Sequence, residues 1–174
     1  MVAVTRAEDD AEPLVRALEA AGFDAIVTPL LRFAARPAEA LAALVVSAPP
    51  FDWIACTSHH AVAALSAAAP PGGPVRARLA AARVGAVGGR TAAALGAGGW
   101  PVAVVPPVSD AAHLARAMLT ADRVPVRRVL FPRALEAREE LPAILRAAGW
   151  HVTDAPCYET LPCADGAAAL ARRL

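Results

Sequence analysis

Thr57, Ser58 and His59 stand where a short aromatic-rich run, residues 51–56, gives way to a helical run carrying Ala61, Val62 and Leu65. Two hydroxyl residues at a strand-to-helix change supply N-cap chemistry. Free backbone N–H groups and the positive helix end then point out of the sheet together, which suits an anion. The same stretch also reads as an ordinary cap that only closes a helix. Gly88-Gly89-Arg90-Thr91 repeats the arrangement after an apolar run at 83–87. Gly85, Gly88 and Gly89 do not reproduce the G-x-G-x-x-G spacing, so a nicotinamide cofactor is not expected. Arg133 and Arg138 follow a third apolar run, 128–131. They could pair with carboxylates of a ligand, or lie solvated beside Glu136, Glu139 and Glu140.

Other chemistry is less supported. Cys56, Cys157 and Cys163 lack the paired two-residue spacing of a zinc site, and His59, His60, His113 and His151 do not repeat at ligand spacing. Free cysteines in a reducing compartment are expected, and no metal ion. The 174 residues are 57% hydrophobic and 19% charged, which predicts a packed core rather than disorder. A net charge of +1 argues against a general nucleic-acid binder, which would show a basic stripe. Apolar runs fall short of the ~18 residues of a membrane span, and residues 1–6 lack a signal-peptide layout. A cytoplasmic protein is expected.

These residues need elements to position them. A strand at 2–4 leads to a helix at 6–21 with Leu14, Val15 and Leu18 on its apolar face, stopped by Gly22. A strand at 24–28 ends before Pro29, and 31–34 reads as an extended connector. A helix at 37–46 precedes the strand at 51–56. Residues 69–74 are a loop. A strand at 83–87, a helix through Leu95 and a strand at 102–105 follow. Ser109-Asp110 caps a helix carrying Leu114, Met118 and Leu119. After the strand at 128–131, Pro132-Arg133 opens a helix with Leu141, Ile144 and Leu145, stopped by Gly149; 152–155 is the last clear strand. Alternating strands and helices predict a parallel α/β sheet.

The chain also repeats itself at a shift of 127 residues. Val2 meets Val129, Arg6 meets Arg133, Leu14 meets Leu141, Leu18 meets Leu145, Gly22 meets Gly149 and Pro29 meets Pro156. Phe51 would fall at 178 (51 plus 127), past Leu174. The chain stops just before a second copy of its central stretch. Either the build is asymmetric, or a longer chain is incomplete here.

Thr5-Arg6, residues 51–58 with Ala61-Val62, residues 84–88 with Thr91, residues 130–133 with Arg138, and Tyr158-Glu159-Thr160 together resemble the uroporphyrinogen-III synthase family. The resemblance runs in order from Val2 to about Thr160. It implies two doubly wound parallel-sheet α/β domains joined by extended connectors at 31–34 and 156–160. Residues 1–31 with 159–174 would form the first domain, left partial. Residues 32–158 would form a complete second domain inserted in it, with five strands. A short helix from Ala164 onward would cover part of the first domain.

The resemblance further implies an enzyme that takes hydroxymethylbilane, a linear tetrapyrrole. It removes water, inverts the terminal pyrrole ring and closes the macrocycle to uroporphyrinogen III, with no metal or cofactor. The substrate's carboxylates would be held by Arg6, Thr57, Ser58, His59, Gly88, Arg90, Thr91, Arg133 and Arg138. Tyr158, the sole tyrosine, would assist loss of the hydroxyl, unless it is only an aromatic wedge at a connector. A monomer is expected, with turnover impaired where the first domain is partial. The alternative is a non-catalytic α/β module that binds a small ligand or a tetrapyrrole.

Overall fold

The computed structural model describes residues 1–122 and 126–171. Its elements run β1 (Val2–Val4), α1 (Glu8–Ala20), β2 (Ala25–Val27), β3 (Leu31–Ala35), α2 (Ala38–Ser47), β4 (Trp53–Cys56), α3 (His59–Ala68), α4 (Pro74–Leu79), β5 (Arg83–Ala86), α5 (Gly89–Ala97), β6 (Val102–Val104), α6 (Ala111–Ala121), β7 (Arg128–Ala134), α7 (Glu140–Ala147), β8 (His151–Pro162) and α8 (Ala164–Ala171). The chain divides into two compact units. One takes Met1–Ala34 and the end of the chain from Thr160; the other is Ala35–Glu159. Residues 172–174 of the expected first domain lie outside the described residues.

In the first unit β1 and β2 pair in parallel, and α1 joins them. Gly22 ends α1 in a left-handed turn, φ +83°. Its N–H bonds Glu19 O at 2.9 Å, and the Phe23 N–H bonds Leu18 O at 3.0 Å. Only glycine takes this conformation without strain. On α8, a Cβ at Gly166 would fall 1.7 Å from Pro29 O, so backbone meets backbone there.

The sheet is ordered β3-β8-β7-β4-β5-β6, and every pairing among β4 to β8 is parallel. β4 is central and its side chains alternate. Trp53 and Ala55 join Leu114, Met118, Leu141 and Leu145 on one face. Ile54 and Cys56 join Leu41, Val62, Leu65, Leu79 and Leu95 on the other. A strand buried on both sides must be apolar throughout, which is why residues 53–56 carry no polar alternation. From β4 the chain winds to β5 and β6 on one side, then crosses through α6 to β7 and β8 on the other. The winding reverses between β4 and β7, so the turns after β4, β5 and β7 share the carboxyl edge.

Four expectations change. The connector expected at 31–34 is a sixth strand, β3, at the sheet edge beside β8. The strand at 152–155 and the second connector are one strand, β8. Pro74, the last residue of the expected loop, opens a short helix, α4, over a stretch to which the sequence reading assigns no element. Pro132 and Arg133 do not open a helix; they lie inside β7, and α7 begins at Glu140. Proline is tolerated because β7 pairs with β4 only through Val129 and Leu130, leaving an edge beyond.

The 127-residue repeat persists in three dimensions. Val2 faces Ala25 and Val4 faces Val27; Val129 faces Val152 and Phe131 faces Asp154. Gly149 has φ +86° against +83° for Gly22, and its N–H bonds Arg146 O at 3.0 Å. The copies differ at the helix start. Glu8 begins α1, but its counterpart Leu135 does not begin α7. Residues 135–139 are left as a loop that carries Arg138.

Candidate active site

Ser58 caps α3 in an extended conformation. Its hydroxyl accepts the N–H of His60 at 3.0 Å and of Ala61 at 3.4 Å. Half-buried Tyr158 on β8 is hydrogen-bonded to the Ser58 side chain, and its ring lies 5.7 Å from the His60 ring. The approach depends on a slip in register. Arg133 faces Pro156 but Ala134 faces Tyr158, so Cys157 is the extra residue of a bulge. Strict alternation would put Cys157 and Tyr158 on opposite faces. With the bulge, both pack against the α3 side of the core. Burial pushes the Tyr158 phenol above its ordinary value, the Ser58 hydrogen bond pulls it down, and neighbouring Cys157 pushes it up. The net shift is upward, which favours the neutral phenol. His59, the first residue of α3, is half-buried with its ring 3.9 Å from that of His60.

The turn after β5 is built for close approach. Gly88 is the extended N-cap of α5, and a Cβ there would fall 2.5 Å from Ser109 Oγ. Arg90 is exposed and Thr91 buried in the first turn of α5. Asp110 caps α6, accepting the His113 N–H at 2.8 Å, with His113 Nδ1 2.7 Å from its second oxygen. The His113 backbone N–H, foremost, holds the Asp110 carboxyl below its ordinary range.

These turns enclose a crevice of about 330 Å³ lined by Thr57, Val87, Ser109, Asp110, Phe131 and Arg138 among others. It lies at the carboxyl ends of β4 and β7, where the winding reverses and open α/β sheets bind ligands. Thr57 and Arg138 are thus brought together, and Ser58 stands one residue away at the Tyr158 contact. Arg133 is differently placed. At 6% exposure its guanidinium donates to Asp154 Oδ1 at 2.7 Å and Ala137 O at 2.6 Å, and pairs with Glu139 at 2.6 Å. Burial works against its charge, and the bonds to Glu139 and Asp154 more than offset that. Arg6 belongs to the first unit, exposed between β1 and α1. Sequence alone does not single out Ser109, Asp110 or His60 as site residues. The Ser109-Asp110 cap is the available signal, but a cap alone reads as a helix start.

No helix among the described residues is long and apolar enough to cross a membrane. A family profile described as Uroporphyrinogen-III synthase HemD matches residues 12–174. No curated protein sequence matches the chain. Among solved structures, a mutant uroporphyrinogen III synthase from Thermus thermophilus is similar at TM-score 0.69 and 22% identity, over 98% of this chain and 68% of that one. The wild-type protein from the same organism, in another crystal form, gives 0.58 and 23%, over 99% and 67%. The Helicobacter pylori uroporphyrinogen-III synthetase gives 0.56 and 21%, over 82% and 58%. At these identities the structures establish the α/β fold, and the profile, matching nearly the whole length, establishes the kinship: the chain belongs to the uroporphyrinogen-III synthase family.

Proposed function

We propose that this chain binds hydroxymethylbilane along the carboxyl edge of its larger sheet and cyclises it, with inversion of the terminal ring, to uroporphyrinogen III. The observation that carries the reading is the place of Tyr158, half-buried against Ser58 at the cap of α3, the residue that follows the crevice-lining Thr57. Loss of the substrate hydroxyl needs a proton donor. A phenol that stays protonated at neutral pH can donate a hydrogen bond to the leaving oxygen, and such assistance contributes roughly 10²–10⁴-fold. The larger task is conformational, because the flexible chain must fold so that the right pyrrole carbon attacks. Positioning of this kind supplies on the order of 7–11 kcal/mol in good intramolecular cases.

The poly-carboxylate ligand is held by Thr57, Ser58 and His59, by the N–H groups at the start of α5 in Gly88-Gly89-Arg90-Thr91, and by Arg138. Sequence also offers Arg6, which belongs to the first unit, and Arg133, whose terminal nitrogens the fold already engages. The reaction draws on no metal or cofactor, and the protein works as a cytoplasmic monomer without a nucleic-acid partner. The test is direct. Purified protein is mixed with hydroxymethylbilane and the product isomers are separated by chromatography after oxidation. Inverted product formed faster than spontaneous closure supports the reading. Binding without acceleration would leave a tetrapyrrole-binding module, and neither would overturn both.

A further inference from the structure

Sequence offers Arg133 as a ligand for substrate carboxylates, but both of its terminal nitrogens are engaged within the fold, and its Nε, which has no partner, is buried. Nη1 bonds Asp154 Oδ1 on β8, and Nη2 bonds Ala137 O and pairs with Glu139 Oε1. Arg146 on α7 closes the figure, pairing with the other oxygen of each carboxylate: Glu139 Oε2 at 3.5 Å and Asp154 Oδ2. Two arginines and two carboxylates thus form a ring that ties loop 135–139 to β8 and α7. The loop's first residue is fixed as well, because the Leu135 N–H bonds Tyr158 O at 2.8 Å. Two positively and two negatively charged groups cancel, so the ring offers an acidic ligand no net attraction. Prising Arg133 from two carboxylates at 6% exposure would strand buried charge. Arg138 stands outside the ring, between Ala137 and Glu139, and lines the crevice.

We propose that Arg133 is a positioning residue: it does not touch substrate, but clamps loop 135–139 so that Arg138 meets an acidic side chain of the tetrapyrrole in the crevice. The identity of that ligand rests on the function proposed above. The clamp needs a planar fork, because one lysine ammonium cannot serve acceptors on β8 and on the loop at once.

The experiment uses the full chain as wild type, Arg133→Lys, Arg138→Met and the double variant. Hydrogen exchange at residues 135–139 reads the clamp without any ligand. Binding of uroporphyrin III, the oxidised product, reads its consequence, and turnover of hydroxymethylbilane separates KM from kcat. Arg133→Lys should speed exchange in the loop and weaken binding about tenfold, raising KM more than it lowers kcat. In the Arg138→Met background it should weaken binding no further. Unchanged loop exchange would overturn the clamp. An equal loss of binding with and without Arg138 would overturn action through Arg138. Should Arg133→Lys fail to fold, Glu139→Gln cuts the ring from its solvent side and must give the same pattern. If wild type binds no tetrapyrrole, the proposed function fails, while the exchange result still decides the clamp.

Discussion

Tyr158 reaches Ser58 because Cys157, the residue between it and Pro156, is bulged out of the ladder with β7. The contact couples the chain's sole tyrosine to a helix cap. Removing the phenol oxygen alone is therefore the sharpest test of chemistry at this edge. Tyr158→Phe should lower the rate of inverted-product formation about 10²-fold or more while the thermal midpoint stays nearly constant. Unchanged turnover would exclude the acid role.

Ser58→Ala removes two backbone acceptances and the Tyr158 partner at once. Loss of such a cap should cost about 1 kcal/mol in urea unfolding. The same substitution removes the influence that pulls the phenol down, so Tyr158 should ionise at higher pH. Phenolate absorbance reports this without overlap, since no second tyrosine exists. A downward shift would contradict the assigned hydrogen bond.

The buried thiols set an alkaline limit. Burial pushes Cys56 from 9.0 up to about 12, and Cys157 up to about 11. The folded chain holds these protons at pH values where the unfolded chain releases them. Their contribution is intact below the ordinary thiol value and lost as pH rises through the folded values. The urea midpoint should fall between about pH 9 and 12, and fall less steeply in Cys56→Ala. At neutral pH a thiol reagent should modify partly exposed Cys163 well before the other two.

Gly88 and Gly89 are adjacent but not equivalent. A methyl at Gly88 meets Ser109 Oγ at 2.5 Å and Ser109 Cβ at 3.0 Å, whereas one at Gly89 meets nothing within 4 Å. Gly88→Ala should cost about 1–3 kcal/mol by overpacking and weaken tetrapyrrole binding at the crevice. Gly89→Ala should leave binding intact and add up to about 0.5 kcal/mol of stability. Equal effects in thermal melts would refute the close approach of the two turns.

Much of this arrangement is legible in sequence because its causes are local. Ser58 and Asp110 announce helix starts through their own side chains, and the apolar block 53–56 announces a strand covered on both faces. Pro132 misleads because its tolerance depends on where β4 stops pairing, which is a property of a neighbour distant in sequence. The 74–79 helix is hidden by the Pro-Pro-Gly-Gly-Pro run that leads into it, with too few turns to show a period. The Tyr158 to Ser58 contact is illegible for the same reason as Pro132. A bulge is a mismatch between two strands, and neither strand alone records it. Arg133 looks available because sequence shows nearby glutamates but not Asp154 waiting on β8.

The register shared by Val2 with Ala25 and Val129 with Val152, closed by Gly22 and Gly149, sets one strand–helix–strand plan twice in one chain. The two copies share an offset, a helix stop and a parallel return strand, though β7 is buried along nearly its whole length and β1 is not. What further distinguishes them is the late start of α7. Where one copy spends these residues on its first helical turn, the other spends them on the loop that holds Arg138 at the crevice.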